Sequence, residues 1–579
     1  MNNARYAQLL EQTAALLHIR GDNPFRIRAF EKAARVIEGL DEEIELLLDE
    51  DRVDGVPGIG KSIAADLHEL RERRSTGLLD ELRAELPAGI LDLLRISGLG
   101  PKKVQKLYRE LGIGDLAALR DAAERGQIAT LDGFGAKTQE RILIEIERLD
   151  RYADRTPFAV ARPIADRIVD ALRALDAVQR AEVAGSLRRA RETVGDLDFV
   201  VASDDPAAVS AAFTALDDVV EVVASGSTKT TVLLDGGLSA DLRVVPPDVF
   251  GATLHHFTGS KDHNVAMRSR AQKAGLRISE YGVFQRDGDQ ETPIACRTEE
   301  DVFAAVGLPW IAPELREDRG EIDRAEAGAL PDLVTVEAIV SDLHMHTVAS
   351  DGQATIEQMA DAAHERGLTH IAITDHSRSL HVARGLDRDR LLEQIDAIEA
   401  FNATGHPVRV LAGLEADILE DGSVDMDDDV LERLDWVVGS VHQWMNQPEH
   451  VMTDRIERAV RSGWLSALGH PTGRLIGQRD GYAFDFERVC RACAELGVAL
   501  EVNAAPERLD LNDSLLRRAL EHDGITFTIN TDAHSVRGFR VLPWGVGMAR
   551  RGWVPAARVL NTLPLDRFLE TRRKPARAT

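Results

Sequence analysis

The spacing of apolar side chains predicts helices at the start of the chain and strands in its middle. Residues 4–18 and 24–38 carry apolar side chains at helical spacing, which predicts two amphipathic helices. Residues 197–201 form an apolar run that is typical of a buried strand. Residues 230–234 and 239–245 flank a glycine-rich turn and predict a β-hairpin.

Seven apolar segments mark the last part of the chain, and helical patterns separate most of them. Each segment ends in polar residues of the kind that bind metal or phosphate. Repeated strand and helix patterns with ligands at the strand C-terminal ends predict an α/β barrel, here with seven strands. The segments are 341–346, 370–376, 408–415, 436–442, 465–470, 499–503 and 526–534.

Length and charge constrain the function. A chain of 579 residues should form several domains, because single cores stop growing near about 250–300 residues. The net charge of −27 argues against a general nucleic-acid binder, which is usually basic. Local basic stretches at Arg26, Arg28, Lys102-Lys103 and Arg188-Arg189 still attract anions, so we expect any nucleic-acid affinity to be modest and to fall with salt.

The compartment is predicted to be the cytoplasm. No run approaches the roughly 18 apolar residues of a membrane span, and the N-terminus lacks the apolar region of a signal peptide. The three cysteines, Cys296, Cys490 and Cys493, suit a reducing environment. The pair Cys490 and Cys493 lies in a predicted helix, 486–496, and is interpreted as core packing.

One short stretch combines a phosphate-binding turn with metal ligands. The turn Gly185-Ser186 and the following arginines offer backbone N–H groups and a cation to phosphate oxygens. Asp196 and Asp198 share one face of a strand, and Asp241 joins them if its strand is a neighbour. By itself the Asp-x-Asp pattern is more often a solvated strand face or a calcium loop. The turn at this spacing favours a two-metal phosphoryl-transfer site instead.

Three Gly-x-Gly turns open predicted helices in the first 150 residues. They lie at Gly58 and Gly60, at Gly98 and Gly100 with Lys102, and at 133–135. These turns resemble the helix-hairpin-helix motif, whose glycines let backbone N–H groups approach a DNA phosphate at a helix N-terminus. Repetition favours contact with DNA backbone irrespective of sequence. A purely structural helix hairpin remains the preferred interpretation of the third copy.

Histidines are concentrated in the last 239 residues, which hold 12 of the 17. Any one of them is more often a hydrogen-bonded core residue than a ligand. Nine candidate ligands at successive strand ends argue otherwise, and their mixed nitrogen and oxygen donors suit two or three Zn²⁺ or Mn²⁺ ions. The candidates are His344, His346, Asp351, His376, Glu415, His442, His470, Asp532 and His534.

The motifs of residues 1–320 resemble those of family X DNA polymerases. The resemblance rests on Gly185-Ser186, Arg189, Gly195 to Asp198, Asp241, and His256 to Ser260 followed by Asn264 and Arg268. It implies that Asp196, Asp198 and Asp241 are catalytic and hold Mg²⁺ or Mn²⁺. The implied nucleotide-binding residues are Gly185, Ser186, Arg189, Gly195, His256, Phe257, Gly259, Asn264 and Arg268.

The last part of the chain resembles the PHP (polymerase and histidinol phosphatase) domain. This resemblance implies a trinuclear centre that hydrolyses phosphoesters. One grouping puts His344, His346, Glu415 and Asp532 on one ion and Asp351, His376 and His470 on another, with His442, His534 and a bridging Glu415 on the third. Arg384, Arg474 and Arg508 lie beyond strand ends and are predicted to bind substrate phosphates.

The fold class that follows is multidomain. It comprises α-helical helix-hairpin-helix modules, an α+β nucleotidyltransferase-like palm and a C-terminal distorted (β/α)7 PHP barrel. The predicted boundaries are a lyase-like helical module at 1–80, helix-hairpin-helix fingers at 81–150, the palm at 151–250, a thumb at 251–320, a linker at 321–340 and the barrel at 341–579.

Two of the departures from the family pattern bear directly on the predicted activities. Asp66 stands where DNA-repair members carry a Schiff-base lysine, so a lyase activity is not expected. His256 replaces the usual tyrosine of the sugar pocket, which leaves discrimination against ribonucleotides open.

The predicted function is gap-filling DNA synthesis in repair, with 3′–5′ exonuclease and AP-endonuclease or 3′-phosphoesterase activity in the barrel. The expected partners are gapped or primed DNA and deoxynucleoside triphosphates. No membrane association is expected, and the chain is expected to be a monomer. One alternative is a phosphoesterase whose polymerase module is degenerate and only binds DNA. Another is a small-molecule phosphatase, against which the DNA-binding modules argue.

Overall fold

The computed structural model describes residues 1–571 except 2, 39, 41, 97, 153–154, 227 and 288–289. The chain forms two compact units. One comprises residues 1–154 with 477–479, and the other 155–476 with 480–579. No described helix is both long and apolar enough to cross a bilayer.

The first unit is helical. Apolar side chains such as Tyr6, Leu17 and Leu67 are fully buried in one continuous core, as the helical spacing requires. Its helices are α1 (Asn3–Arg20), α2 (Pro24–Glu38), α3 (Ile44–Asp49), α4 (Lys61–Arg73), α5 (Gly77–Glu85), α6 (Pro101–Leu111), α7 (Leu116–Glu124) and α8 (Ala136–Tyr152).

The second unit begins with a five-stranded sheet, called the palm sheet here, in the order β2-β4-β7-β6-β5. Helices α9 and α11 contact one face of it and α12 the other. Strands β1 and β3 pair with each other in a separate two-stranded sheet. The elements of this part are β1 (Thr156–Pro157), α9 (Phe158–Arg173), β2 (Arg180–Val183), α10 (Gly185–Arg188), β3 (Thr193–Val194), β4 (Asp196–Ala202), α11 (Pro206–Thr214), β5 (Val219–Ser225), β6 (Lys229–Leu234) and β7 (Ser239–Val245).

A smaller α+β layer follows the palm sheet. Its buried core includes Met267, Phe303 and Cys296. The predicted linker 321–340 contains a helix, α15, whose Glu321 is fully buried against His263. The elements are α12 (Phe250–Thr258), α13 (Lys261–Lys273), β8 (Leu276–Ser279), β9 (Gly282–Asp287), β10 (Gln290–Ile294), α14 (Glu299–Ala305) and α15 (Glu321–Glu326).

The remainder is a seven-stranded parallel barrel in the order β11 to β17. A parallel bridge between Met345 and Ala533 joins the first strand's extension to the last, so the barrel is nearly closed. Phe568 fills the interior at the end where the strands begin, against Trp436 at a ring-centroid distance of 5.4 Å. The strands are β11 (Ser341–Asp342), β12 (His370–Ile373), β13 (Arg409–Asp417), β14 (Trp436–Ser440), β15 (Ala467–Leu468), β16 (Ala499–Asn503) and β17 (Phe527–Asn530).

Helices surround the barrel and bury their apolar faces on it. Both Cys490 and Cys493 are buried in α20, as interpreted from the sequence. The helices are α16 (Ile356–Glu365), α17 (Arg388–Asn402), α18 (Asp428–Leu431), α19 (Glu449–Arg461), α20 (Phe486–Leu496), α21 (Asp513–Ala519), α22 (Leu542–Arg551) and α23 (Leu565–Thr571). The predicted fold class is confirmed, whereas the six domain boundaries stay predictions.

Candidate functional site

Three carboxylates meet on the palm sheet. Strands β4 and β7 are parallel neighbours, and their register pairs Asp198 with Asp241. Asp196 lies two residues before Asp198 and so on the same face. Thr231 Oγ1 donates to Asp241 Oδ1 at 2.6 Å, and Lys229 Nζ lies 2.7 Å from Asp241 Oδ2. The sheet therefore brings the three predicted aspartates together.

Repulsion between the buried carboxylates of this cluster is unfavourable, and a bound cation would relieve it. Burial, together with the charges of Asp196 and Asp241, raises the pKa of Asp198 to about 7. Burial and Asp241 also raise the pKa of Asp196. Three oxygen donors of this kind suit Mg²⁺ or Mn²⁺, because a bound positive charge favours the ionised carboxylates. The residues present thus fit the metals that the sequence predicts.

The Gly185-Ser186 turn, called the phosphate turn here, lies against the carboxylates. Gly185 has φ +61, and a Cβ built there would lie 2.2 Å from Asp198 Oδ2. Only glycine allows this approach, because other residues add a clash to an unfavourable left-handed backbone. Ser186 follows in the short helix α10, and Gly195 is exposed directly before Asp196.

Arg189 is partly buried, with its side chain 12% exposed, and is already paired. Its Nε donates to Glu317 Oε1 at 3.0 Å, and its other end donates to the carbonyl of Thr258. A Cβ on Gly259 would lie 3.1 Å from the Arg189 guanidinium. The fold therefore joins the phosphate turn to the motif that begins at His256.

Four more of the predicted nucleotide-binding residues, His256, Phe257, Asn264 and Arg268, lie on α12 and α13. Phe257 packs under the Arg243 guanidinium, 4.8 Å from the ring centroid. Asn264 Nδ2 donates to the His256 carbonyl at 2.8 Å. Burial lowers the pKa of His256, which favours its neutral ring. Arg268 is exposed one helical turn beyond Asn264.

Glu415 occupies the middle of the histidine cluster at the C-terminal end of the barrel strands. Its Oε2 lies 2.7 Å from His376 Nδ1. Its Oε1 lies 3.0 Å from His470 Nε2, 3.3 Å from His442 Nε2 and 3.4 Å from His344 Nε2. Burial alone would raise the pKa of Glu415, but these histidines hold it well below its usual value.

Two aspartates complete the cluster. Asp351 lies 3.5 Å from His376 Nε2, 3.5 Å from His534 Nε2 and 3.8 Å from His346 Nδ1. Asp532 Oδ1 lies 3.0 Å from His346 Nε2 and 3.6 Å from His344 Nε2. All nine predicted ligands therefore converge.

The ligand atoms form three groups within 4.8 Å: His346, Asp351, His376 and His534; His344, His346 and Asp532; and His376, Glu415 and His442. This differs from the grouping predicted from sequence, which placed His534 with His442. Asp351, in the loop after β11, lies next to His534, so His534 groups with Asp351 and not with His442. His344 Nε2 and His346 Nδ1 are buried without a hydrogen-bond partner among the described residues, so the site fits metal ions.

Comparisons with known proteins match segments along most of the chain. A DNA polymerase beta thumb matches residues 253–317 and a PHP domain 342–505. A helix-hairpin-helix domain matches 1–75, and a SAM-like helix-hairpin-helix tandem 90–148. The DNA polymerase/3′-5′ exonuclease PolX of Bacillus subtilis is 41% identical over 98% of both chains. The chain belongs to the family X DNA polymerases with a C-terminal PHP domain.

Two further relatives match parts of this family X chain. DNA polymerase lambda of Rattus norvegicus is 25% identical over 54% of this chain and 56% of its own. A probable phosphatase of Photobacterium profundum is 33% identical over 28% of this chain and 63% of its own.

The PHP centre also uses residues that sequence reasoning did not assign. Glu501 Oε1 lies 2.8 Å from His344 Nδ1, and Asp417 Oδ1 lies 2.9 Å from His442 Nδ1. Asn503 donates to Asp532 Oδ2 at 3.1 Å. Such partners fix the orientation and tautomer of a ligating imidazole. The available signal was that Glu501 and Asn503 lie in the predicted strand segment 499–503 and that Asp417 lies two residues beyond the segment 408–415.

The three predicted phosphate-binding arginines of the PHP domain have different surroundings. Arg474 donates to the carbonyls of Arg508 and Leu509 and lies 2.8 Å from Glu192, so it holds loops together, unlike its predicted role. Arg508 Nε lies 4.0 Å from Asp532 Oδ2, and its buried NH1 group has no hydrogen-bond partner among the described residues. Arg384 is exposed.

The helix-hairpin-helix turns are open to a ligand. Gly60 and Gly100 precede the first residues of α4 and α6, and no described side chain caps either helix. Gly58 and Gly98 have φ +107 and +82, which gives these turns their shape. Lys102 is exposed at the start of α6. Asp66 is half-buried, and burial raises its pKa.

Proposed function

We propose that the chain is a gap-filling DNA polymerase that also removes nucleotides from DNA 3′ ends at a separate site. The observation that carries the proposal is the presence of two intact ligand clusters in one family X chain. One is the aspartate cluster beside the phosphate turn, and the other is the nine-residue PHP centre. We place both activities in DNA repair.

In the polymerase site, Asp196, Asp198 and Asp241 hold the ions and the Gly185-Ser186 turn receives the nucleotide phosphates. When bound, Mg²⁺ or Mn²⁺ supplies charge neutralisation at the reacting phosphate. Arg189 adds a positive charge beside Gly259.

The rest of the nucleotide lies between α12 and α13 in this proposal. Phe257 supports the sugar from below, and the hydrogen bond from Asn264 fixes the backbone of His256. Arg268, exposed on α13, is the side chain placed to reach the base pair.

In the PHP site, the nine ligands hold two or three ions at the mouth of the barrel. When bound, Zn²⁺ or Mn²⁺ supplies water activation and charge neutralisation for phosphoester hydrolysis. Arg508 is the arginine best placed to bind substrate phosphate, because its unpartnered NH1 group lies near Asp532. The same site is proposed to open abasic sites by hydrolysis, since Asp66 replaces the lyase lysine.

The substrate is gapped or primed DNA, gripped through its backbone by the helix N-termini at Gly60 and Gly100. A cytoplasmic location and a monomeric state stay predictions.

The proposal is tested by following a labelled primer on one-nucleotide-gapped DNA, with Mg²⁺ or Mn²⁺ and with or without deoxynucleoside triphosphates. Extension with nucleotides and shortening without them are expected. Shortening with no extension under any condition would instead support the alternative, a PHP nuclease with a degenerate polymerase module.

A further inference from the structure

The PHP barrel contacts the polymerase nucleotide site through a buried arginine. Arg551, at the end of α22, has a side chain that is only 2% exposed. It donates to the Arg189 carbonyl at 2.6 Å and to Glu317 Oε1 at 2.8 Å. Its second nitrogen donates to Asp513 Oδ2 at 2.8 Å, within the barrel. Arg551 therefore links the barrel directly to the phosphate turn.

Glu317 connects the two arginines. The same oxygen, Oε1, accepts from Arg189 Nε at 3.0 Å. Arg191 NH1 lies 3.9 Å from the same Glu317 oxygen, and Arg319 NH1 lies 3.0 Å from Asp513. Four arginines therefore surround two carboxylates, which leaves an excess of positive charge beside the phosphate turn. An anionic phosphate group is the natural partner of that charge.

A second contact fixes the same palm segment. Arg474, four residues after the PHP ligand His470, lies 2.8 Å from Glu192. Between these contacts, a Cβ on Gly547 of α22 would lie 3.2 Å from Ala190. Residues 189–192 are therefore held by the barrel from two sides, and this segment leads into β4 with Asp196 and Asp198.

We propose that Arg551 is a positioning residue for nucleotide addition, supplied by the PHP barrel to hold Arg189 ready for the triphosphate. This inference rests on the proposed polymerase function. Without the Arg551 charge, fewer arginines share Glu317 and the excess of positive charge falls, so Arg189 attracts an anion less. The consequence falls on nucleotide binding more than on the chemical step, because Arg551 touches no reacting group.

The test is steady-state insertion of one nucleotide into gapped DNA by the full chain carrying Arg551→Met. The KM for the nucleotide is expected to rise about tenfold with kcat within about twofold, from loss of charge-assisted hydrogen bonds. Degradation of labelled single-stranded DNA should keep its wild-type rate. Arg551→Lys, which restores the charge, should recover part of the loss.

Arg550→Met is the matched control. Arg550 is the preceding residue of α22 and also ties the barrel to the rest of the unit, through Glu314 at 2.7 Å and the Val334 carbonyl at 3.1 Å. It has no recorded contact with Arg189 or Glu317 among the described residues. The KM of this variant should therefore stay at the wild-type value.

An unchanged KM in Arg551→Met, or an equal increase in Arg550→Met, would overturn the inference while wild-type extension upholds the proposed function. Failure of the wild type to extend would overturn the proposed function and this inference with it. If Arg551→Met loses its nuclease activity and its circular dichroism signal, Arg551→Gln takes its place, because glutamine still donates to the Arg189 carbonyl.

Discussion

At the scale of single residues, the polymerase site depends on charges and distances that one side chain can alter. Burial raises the pKa of Asp198 to about 7, and its carboxylate is the group that a Cβ at Gly185 would strike. Asp198 therefore links the metal site to the phosphate turn. Substitution of Asp198 or Gly185 should impair primer extension and leave the PHP centre intact.

Asp198→Ala should abolish nucleotide addition and preserve 3′ degradation. The substitution removes a carboxylate that the proposed pair of ions shares, so neither ion keeps its geometry. Extension and degradation of the same labelled primer on gapped DNA measure the two activities together. Robust extension by the variant would show that these aspartates are not the catalytic set.

Gly185→Ala should lower kcat/KM for nucleotide addition by about a hundredfold. The new Cβ displaces the Asp198 carboxylate, and misplacing a catalytic group by about 1 Å costs on the order of a hundredfold. Gly236→Ala is the control. Gly236 also has a left-handed φ, +90, but a Cβ there meets no described atom within 4 Å. Equal losses in both variants would mean that backbone strain, and not the clash with Asp198, causes the effect.

His256→Tyr should increase discrimination against ribonucleotides. A larger ring beside the sugar excludes a 2′-hydroxyl more completely than the half-buried histidine does. The measurement is the ratio of kcat/KM for deoxy- and ribonucleotide insertion by wild type and variant. The same ratio in both would refute a steric role for this side chain.

At the scale of elements, buried ion pairs hold the layer formed by α12, α14 and the segment after it. Glu299 on α14 is 4% exposed, and it accepts hydrogen bonds from Arg316 and from Arg188 of the phosphate turn. Burial would raise the pKa of Glu299, but Arg316 and Arg188 outweigh it and hold that pKa well below its usual value. This contribution to stability is therefore present above the unfolded-state pKa and is lost as the pH falls.

Glu299→Gln should destabilise this layer by about 3–5 kcal/mol, because it leaves Arg316 buried with its charge uncompensated. Faster amide hydrogen exchange in α12 and α14 measures the effect locally. The difference between variant and wild type should shrink as the pH falls below the usual glutamate range. Glu326→Gln, which removes an exposed partner of Arg270, is the control and should change exchange little.

At the scale of the whole molecule, the two proposed chemistries belong to different sheets of one compact unit. The aspartates lie on a mixed five-stranded sheet, whereas the histidines lie at the C-terminal end of a parallel barrel. Separate ligand sets should make the activities separable by substitution, even though Arg551 and Arg474 join the two folds.

His344→Ala combined with His346→Ala should remove nuclease activity and spare extension. The double substitution removes two imidazoles from the end of one strand, and neighbouring ligands cannot easily replace both. Degradation of single-stranded DNA in Mn²⁺ is the assay. Circular dichroism must accompany it, because bound metals can contribute to the stability of the fold. A folded double variant that degrades DNA at the wild-type rate would place the nuclease outside the barrel.

The sequence by itself determined the local chemistry. Side chains alternate in a strand, so Asp196 with Asp198 and His344 with His346 could be assigned to common faces. The seven strand segments were predicted from apolar spacing, and the helix starts were predicted from the Gly-x-Gly turns before them. Both signals are local, because they depend only on neighbouring residues in the chain.

Only the tertiary structure decided which of these groups meet. His344 contacts Glu501, which is 157 positions away in the sequence, and Arg551 contacts Glu317, which is 234 positions away. No periodic pattern in the sequence predicts pairs at such separations. Arg474 looked like a phosphate ligand because it follows a strand end, but neighbouring carbonyls and Glu192 already occupy its donors. Partner choice for a long side chain depends on what the completed fold places within its reach, and the residue type alone does not fix that.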